Sequence, residues 1–203
     1  LWGASLAAGL LGFSALIALI TLMARLVHLP GSATLTTPAG MPSITALLLL
    51  VMASIVAGVS EEAAFRGYMQ SPIERQYGVV LATLINGTAF GLLHFPNHPR
   101  DVWVMLPYYI AVAAVYSGLT WAANSILPSL VLHSGGDVWS LVRLWVSGRP
   151  EWQLQSEPAA LVWQTGLDAG FLISAVASTA LAALTVWAYA GVRRQRTREQ
   201  ELL

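Results

Sequence analysis

Three short groups of polar residues interrupt otherwise apolar stretches of this chain, and together they hold the parts of acid–base catalysis. The first is Glu61, Glu62 and Arg66, in the run GVSEEAAFRGYM. Glu62 and Arg66 are four apart, so on a helix they share a face and can pair. The helical repeat turns Glu61 about 100° away, with no partner of its own nearby in sequence. The second group is Phe90 and His94, in FGLLH. The third is His133 and Asp137, in HSGGD, again four apart. Gly135 and Gly136 between them lower helix propensity and let another backbone or a substrate come close.

Amide hydrolysis needs an activated water, a stabiliser for the oxyanion and a proton for the leaving amine. Glu61 and His94 are the candidates for water activation, since a low-dielectric cavity makes a carboxylate a better base. Arg66 is expected to keep Glu62 ionised and to fix the helix that aims Glu61. His133 is the candidate oxyanion donor. An ionised Asp137 has no proton to donate, so it would orient His133 or act protonated. The same side chains allow a metal reading. Two His and one or more carboxylates can form a three-ligand zinc site with an open position for water, here from Glu61, His94, His133 and Asp137. The cofactor expectation is therefore none or Zn2+, with the metal-free form preferred. Ser60 and Ser134 lack the local arrangement of a nucleophile.

Each group also has a plainer reading. Glu62–Arg66 can be a salt-bridged helix end that snorkels to the interface. A lone His94 is commonly an interfacial or core histidine. His133–Asp137 can simply tie two helices together. His28 and His98 read as loop residues. What weighs against the plain readings is where these residues stand. A central charge in a bilayer costs about 2.5–3.5 kcal/mol on insertion scales, and such residues normally face a protein interior or a wet cavity.

That setting follows from composition. The chain of 203 residues is 56% hydrophobic and 10% charged, against about 25% charged in ordinary soluble domains. So few charges cannot coat a water-soluble surface, and lipid is the natural solvent for the rest. All ten basic residues are Arg, which fits a GC-rich bacterial genome, and zero net charge implies no nucleic-acid partner. The absence of Cys excludes disulfides, a Cys nucleophile and thiolate ligands. No cleavable signal peptide is expected, because the first apolar run is long enough to span.

A spanning helix takes about 20 mostly apolar residues, which predicts six spans. They cover about residues 2–27, 43–72, 78–95, 102–122, 128–146 and 160–192, with Ser43 as the N-cap of the second and Pro72 as its end or a break. The expected fold is an all-α membrane bundle of about six helices around a buried polar cavity, one integral membrane domain over 1–203. Strands are not expected, since the apolar runs are long and do not alternate. Arg193, Arg194, Arg196 and Arg198 follow the last span. By the enrichment of basic residues on cytoplasmic flanks, the tail 193–203 and the N-terminus lie inside. Arg66 and Arg75 agree with this; Arg100 and Arg149 do not. At about 1.5 Å per residue, Glu61 stands roughly 16 Å from Pro72. His94 stands roughly 24 Å from Gly78, and His133 and Asp137 roughly 8 and 14 Å from Pro128. The three groups are not level on this reckoning, so tilt, long side chains or a break at Gly58 or Gly87 must bring them together.

The sequence EEAAFR, then FGLLH, then HSGGD, in that order and each on its own apolar helix, resembles the CPBP family of intramembrane proteases. That family includes the type II CAAX prenyl endopeptidases and the bacterial Abi-type proteins, with motifs EExxxR, FxxxH and HxxxN or HxxxD. The resemblance covers about residues 43–146. It implies a helical membrane fold with a polar cavity open to water and to the lipid plane. It implies hydrolysis of a peptide bond near the C-terminus of a membrane-associated protein or peptide. In the eukaryotic branch that substrate is prenylated. Bacterial members resemble processing enzymes for peptides, pheromones or sorting tails, the myxosortases among them, and the last of these leaves transpeptidation open beside hydrolysis. In the prenyl-endopeptidase branch an Asn stands where this chain has Asp137. The localisation implied is the bacterial cytoplasmic membrane; the oligomeric state is open. Two rivals stand beside the protease. Buried Glu, His and Asp also build proton or ion pathways, but no inverted repeat of the transporter kind is present. A non-catalytic scaffold or immunity factor could keep the same motifs.

Overall fold

The computed structural model describes residues 1–29, 33–34, 40–95, 102–146, 151–152 and 160–201. The polar turn expected over 96–101, with His98 and Arg100, lies outside them, as do Arg149 and Glu157. The elements are helix α1 (Trp2–Leu26), strand β1 (Ala33–Thr34), helix α2 (Ser43–Glu61), a π-helical segment (Glu62–Gln70), then α3 (Ser71–Leu93), α4 (Val102–Ala123), α5 (Leu127–Val146), strand β2 (Glu151–Trp152), α6 (Val162–Thr165) and α7 (Ala169–Glu201). Among the described residues, four helical stretches are long and apolar enough to cross a membrane: Trp2–Leu26, Ser43–Leu93, which is kinked at Gly78, Trp103–Ala123 and Ala169–Glu201. The chain is an all-α integral membrane protein.

Several boundaries depart from expectation. Ser43 is the first helical residue rather than the cap, and Pro42 precedes it. Two two-residue strands do occur: β1 and β2 pair antiparallel, Ala33 with Trp152 and Thr34 with Glu151. They join loop segments outside the spans, where apolar periodicity has no bearing. The expected sixth span breaks at Gly166 (φ 78°) and restarts at Ala169. Asp168 causes the restart. Its carboxylate accepts the Phe171 N–H at 2.8 Å, satisfying a donor that the first turn leaves open. The helix then runs on through the arginine tail. Arg193 lies 4.2 Å over the Trp121 ring, and Arg196 reaches the Trp121 carbonyl.

The largest correction concerns Pro72. It does not end the second span. It sits in the first turn of α3, where a missing N–H leaves no hydrogen bond unmade. The chain stays helical to Gly78, whose φ of 82° and ψ of 165° break the helix. A side chain would be strained at that positive φ. The chain reverses there. Phe65 and Phe90 would be about 37 Å apart along a straight helix, yet their rings meet edge to face at 5.4 Å. Counted from this turn, Glu61 lies seventeen residues before Gly78 and His94 sixteen after it. At about 1.5 Å per residue the two are level, so the depth mismatch disappears.

Small residues set the helix contacts, as is common where lipid supplies no hydrophobic drive between helices. A Cβ on Gly58 would lie 2.9 Å from the Ser134 backbone nitrogen, and one on Gly87 would lie 2.9 Å from Ile110 Cα. These contacts lock α2 against α5 and α3 against α4. Helix α4 is central, touching α1, α3, α5 and α7. Ala8, Leu119, Ala122, Ala123, Tyr189 and Val192 pack together, and the Tyr189 hydroxyl donates to the Val115 carbonyl at 2.9 Å. The distribution is inverted relative to a soluble protein. Glu62, Arg66, Gln70, Asn86, Ser117 and Ser129 are buried, while Leu48, Met52, Val80, Ile173, Val186 and Trp187 face outward. Outward apolar surface with inward charge is what a lipid solvent selects.

Candidate active site

The π segment begins one residue after Glu61 and carries the first polar group. Segments of this kind, with i→i+5 hydrogen bonds, recur at functional sites. Here the segment places Glu62, Arg66 and Gln70 in one buried row, which Glu74 of α3 continues at its half-buried end. Glu62 Oε1 lies 3.2 Å from Arg66 Nη1. The guanidinium is enclosed by three aromatic rings, those of Phe65, Phe90 and Tyr116, at 5.7, 5.4 and 5.2 Å. Cation–π contact gains strength when desolvated, so the cage favours the guanidinium beside Glu62.

The close packing of Gly58 on Ser134 brings α5 to this row, and His133 becomes its hub. Nδ1 of His133 stands 2.9 Å from Glu62 Oε1. An ionised carboxylate only accepts, so Nδ1 carries the hydrogen and Nε2 is left facing the cavity. Nε2 lies 3.6 Å from Glu61 Oε2 and 3.6 Å from Asp137 Oδ2. Those separations suit an ion pair or a bridging water but are too long for direct hydrogen bonds. The ring stacks on Tyr116 at 4.6 Å and 17°. Glu62 and Arg66 are sealed; the Glu61 and Asp137 side chains keep 29% and 41% exposure. The inner carboxylate is therefore the anchor, and the outer two are the ones a substrate can meet.

His94 closes α3 as its C-cap. Its Nδ1 lies 2.8 Å from the Phe90 carbonyl, which again only accepts, so its Nε2 is the working nitrogen. The ring is held between Phe90 at 4.5 Å and Tyr109 at 4.7 Å. Phe90 also meets His133 at 6.4 Å, so one ring lies between the two motif histidines. Glu61, Glu62 and Asp137 are thus gathered around His133, with Arg66 attached through Glu62, and His94 joins them across Phe90 and within electrostatic range of Asp137.

Tyr108, Tyr109 and Tyr116 were not foreseen from the sequence. Tyr109 is in range of Glu61, and Tyr108 and Tyr116 are in range of Asp137. A signal existed: 109 and 116 are two helical turns apart, so two phenols share one face of an otherwise apolar span. For a metal, the donors are present but spread. Among the described residues no group of three His, Asp or Glu side chains converges to hold an ion, Nδ1 of His133 being committed to Glu62 and Nδ1 of His94 to its own helix.

The helical membrane fold thus encloses a buried carboxylate–imidazole–guanidinium centre. Residues 42–139, which contain all three polar groups, match the model of the type II CAAX prenyl endopeptidase Rce1-like family. That likeness to CAAX-type endopeptidases supports reading the site as that of an intramembrane protease. No curated protein and no solved structure matches the chain.

Proposed function

We propose that the chain hydrolyses a peptide bond near the C-terminus of a membrane-associated protein or peptide by a metal-free glutamate mechanism. The observation that carries this reading is the His133 ring, anchored through Nδ1 by a sealed Glu62 and presenting Nε2 to the accessible Glu61 and Asp137. Glu61 takes a proton from a water in the opening before Nε2. The water oxygen attacks the carbonyl carbon, and the carbonyl π electrons move to oxygen. His133, as imidazolium among three carboxylates, donates Nε2–H to that oxyanion. The C–N bond then breaks, and Glu61 returns its proton to the leaving nitrogen. Asp137 orients Nε2, and His94 with Tyr109 walls the cavity opposite and assists the water. The alternative cofactor, Zn2+, would draw on Glu61, His94, His133 and Asp137. Their spread supports the metal-free form, and no step is routed through an ion.

The enzyme is read as a protein of the bacterial cytoplasmic membrane with its C-terminus inside, an orientation supported by Arg193, Arg194, Arg196 and Arg198. The test is to purify the chain and offer it a library of membrane-associated peptides, prenylated C-termini and sorting-tail sequences included. Wild type is expected to cleave. Glu61→Gln should lose about 10²–10⁴-fold in rate, the usual worth of a general base, while keeping its thermal unfolding profile. Chelation should leave the rate unchanged; loss on chelation with recovery on added Zn2+ would overturn the metal-free form. Solute or proton flux in proteoliposomes without any cleavage would overturn the protease.

A further inference from the structure

Below the His133 hub, on the side toward Gly78, lies a second set of buried polar groups that the proposed reaction does not use. Asn86 and Ser117 are completely buried, and Gln70 is nearly so. Asn86 shares a face of α3 with Phe90 and His94, at four-residue intervals. Phe90 on that face touches Phe65 and lies 5.4 Å from the Arg66 guanidinium. Asn86, one turn nearer Gly78, therefore faces the Arg66–Gln70 stretch of the π segment. Counting from the reversal gives the same level: Gln70 is eight residues before Gly78 and Asn86 eight after it. From α4, Ser117 reaches this level too, because its carbonyl accepts the Gln70 Nε2–H at 3.0 Å.

The hydrogen-bond account here does not close. Both Asn86 side-chain atoms, the Ser117 hydroxyl, Gln70 Oε1, Glu62 Oε2 and all three Arg66 nitrogens are buried without a hydrogen bond among the described residues, Arg66 Nη1 having only its ion-pair contact with Glu62 Oε1 at 3.2 Å. One such orphan would be unusual. A concentration of them where three helical elements meet, inside a membrane, is expensive unless something satisfies them. The donors and acceptors are mixed: an amide, a hydroxyl, a guanidinium and a carboxylate oxygen. A purely anionic or cationic ligand would satisfy only one set. A molecule that both donates and accepts satisfies all of them, and buried water does so with about three hydrogen bonds each.

We propose that Asn86, Ser117, Gln70 and Arg66 bind ordered internal water, forming a hydrated pocket distinct from the catalytic cavity. The pocket completes the shell of Arg66 on the side away from its aromatic cage. It runs toward Glu74, which accepts from Gln70 Nε2 at 3.0 Å and stands near the exposed end of the row. The site is defined without reference to the reaction. Its consequence for catalysis rests on the protease reading: by fixing Arg66, and through it Glu62 and Nδ1 of His133, Asn86 is a positioning residue.

The sign of one stability change decides between a wet and a dry pocket. Leucine is the closest apolar isostere of asparagine. If the pocket is dry, Asn86→Leu removes two orphans and raises the Tm. If it is hydrated, Asn86→Leu strands its waters and lowers the Tm by about 3 °C or more, and Asn86→Ser, which leaves room for one further water, recovers most of that loss. A rise in Tm overturns the proposal. Should Asn86→Leu fail to accumulate, a map of the wild type at a resolution that shows solvent decides. Peaks bridging Asn86, Ser117 and Arg66 support the site; an Asn86 amide bonded directly to protein with no peak beside it overturns it. The positioning role has its own readout. Asn86→Leu should lower kcat about tenfold with KM unchanged and be rescued by Asn86→Ser, whereas an unchanged kcat overturns that role whatever the Tm does.

Discussion

Glu62 is the residue on which the local electrostatics turn. It is fully buried, and it serves two cations at once, Arg66 at 3.2 Å and the His133 ring at 2.9 Å. A buried pair of this kind adds little net stability compared with an apolar pair, yet breaking it by removing one partner costs about 3–5 kcal/mol. Arg66→Met should therefore lower stability by that amount, read by thermal unfolding in detergent. The double variant Arg66→Met with Glu62→Gln should recover part of it, because no uncompensated charge is then left inside. If Arg66→Met were neutral for stability, Glu62 would not be the ionised anchor described above. The pairing itself was legible in the sequence from the four-residue spacing. The partner of Glu61 was not, because His133 lies on another helix and only the fold sets that distance.

At the scale of elements, two glycines assemble the site. Gly58 lets α2 lie on the backbone of α5 at Ser134, and Gly78 turns the chain so that Glu61 and His94 face each other. Gly58→Val must push the two helices apart, since the Ser134 backbone nitrogen and Cα stand close behind its hydroxyl and cannot swing away. A displacement of about 1 Å is enough to cost about 10²-fold in rate. Gly58→Val should show that loss with its helical circular dichroism retained. Gly191→Ala, on the open face of α7 with nothing within 4 Å, should cleave as wild type. Motif order and a break between α4 and α5 could be read from hydropathy and turn residues, though Pro128, expected within the break's end, lies inside α5. The π segment could not, because EAAFRGYM carries no feature that separates i→i+5 from i→i+4 bonding. Its presence is a tertiary outcome of seating Glu62 and Arg66 in the interior. Pro72 misled for a related reason. A proline ends a helix only where its missing N–H and its ring interrupt the ladder, and the register change from π to α places it at a helix start.

Across the whole molecule, the first and last spans are joined chiefly to each other, and α1 reaches the site through Phe13, whose ring meets Tyr116 at 5.5 Å. Helices α1 and α7 pack along their lengths. Their shared end is clasped by Arg25, which donates to Asp168 Oδ2 at 2.6 Å, to Oδ1 at 3.1 Å and to the Ala160 carbonyl at 2.7 Å. The hydrogen bond from Arg25, followed by the one from the Phe171 backbone, pushes the Asp168 carboxyl down to about 2, from an ordinary value of about 3.9. A depressed carboxyl contributes stability that is fully present above its unfolded value and is lost as pH falls through its folded one. Arg25 stays charged throughout, so Asp168 alone sets the window. Hydrogen exchange over residues 161–171, corrected for the intrinsic pH dependence, should be constant from pH 8 to about 4 and should accelerate as pH falls toward about 2. In Asp168→Asn the same segment should exchange faster at every pH and show no such step. The clasp is exposed, and high salt should weaken it as well. The His133 hub is caged by rings and its exposed members are Glu61 and Asp137, so the salt that loosens residues 161–171 should leave the protection of the Glu62–Gln70 segment unchanged. A parallel loss of protection in both segments would mean that the outer helices, and not the Gly58 and Gly78 contacts, hold the active site together.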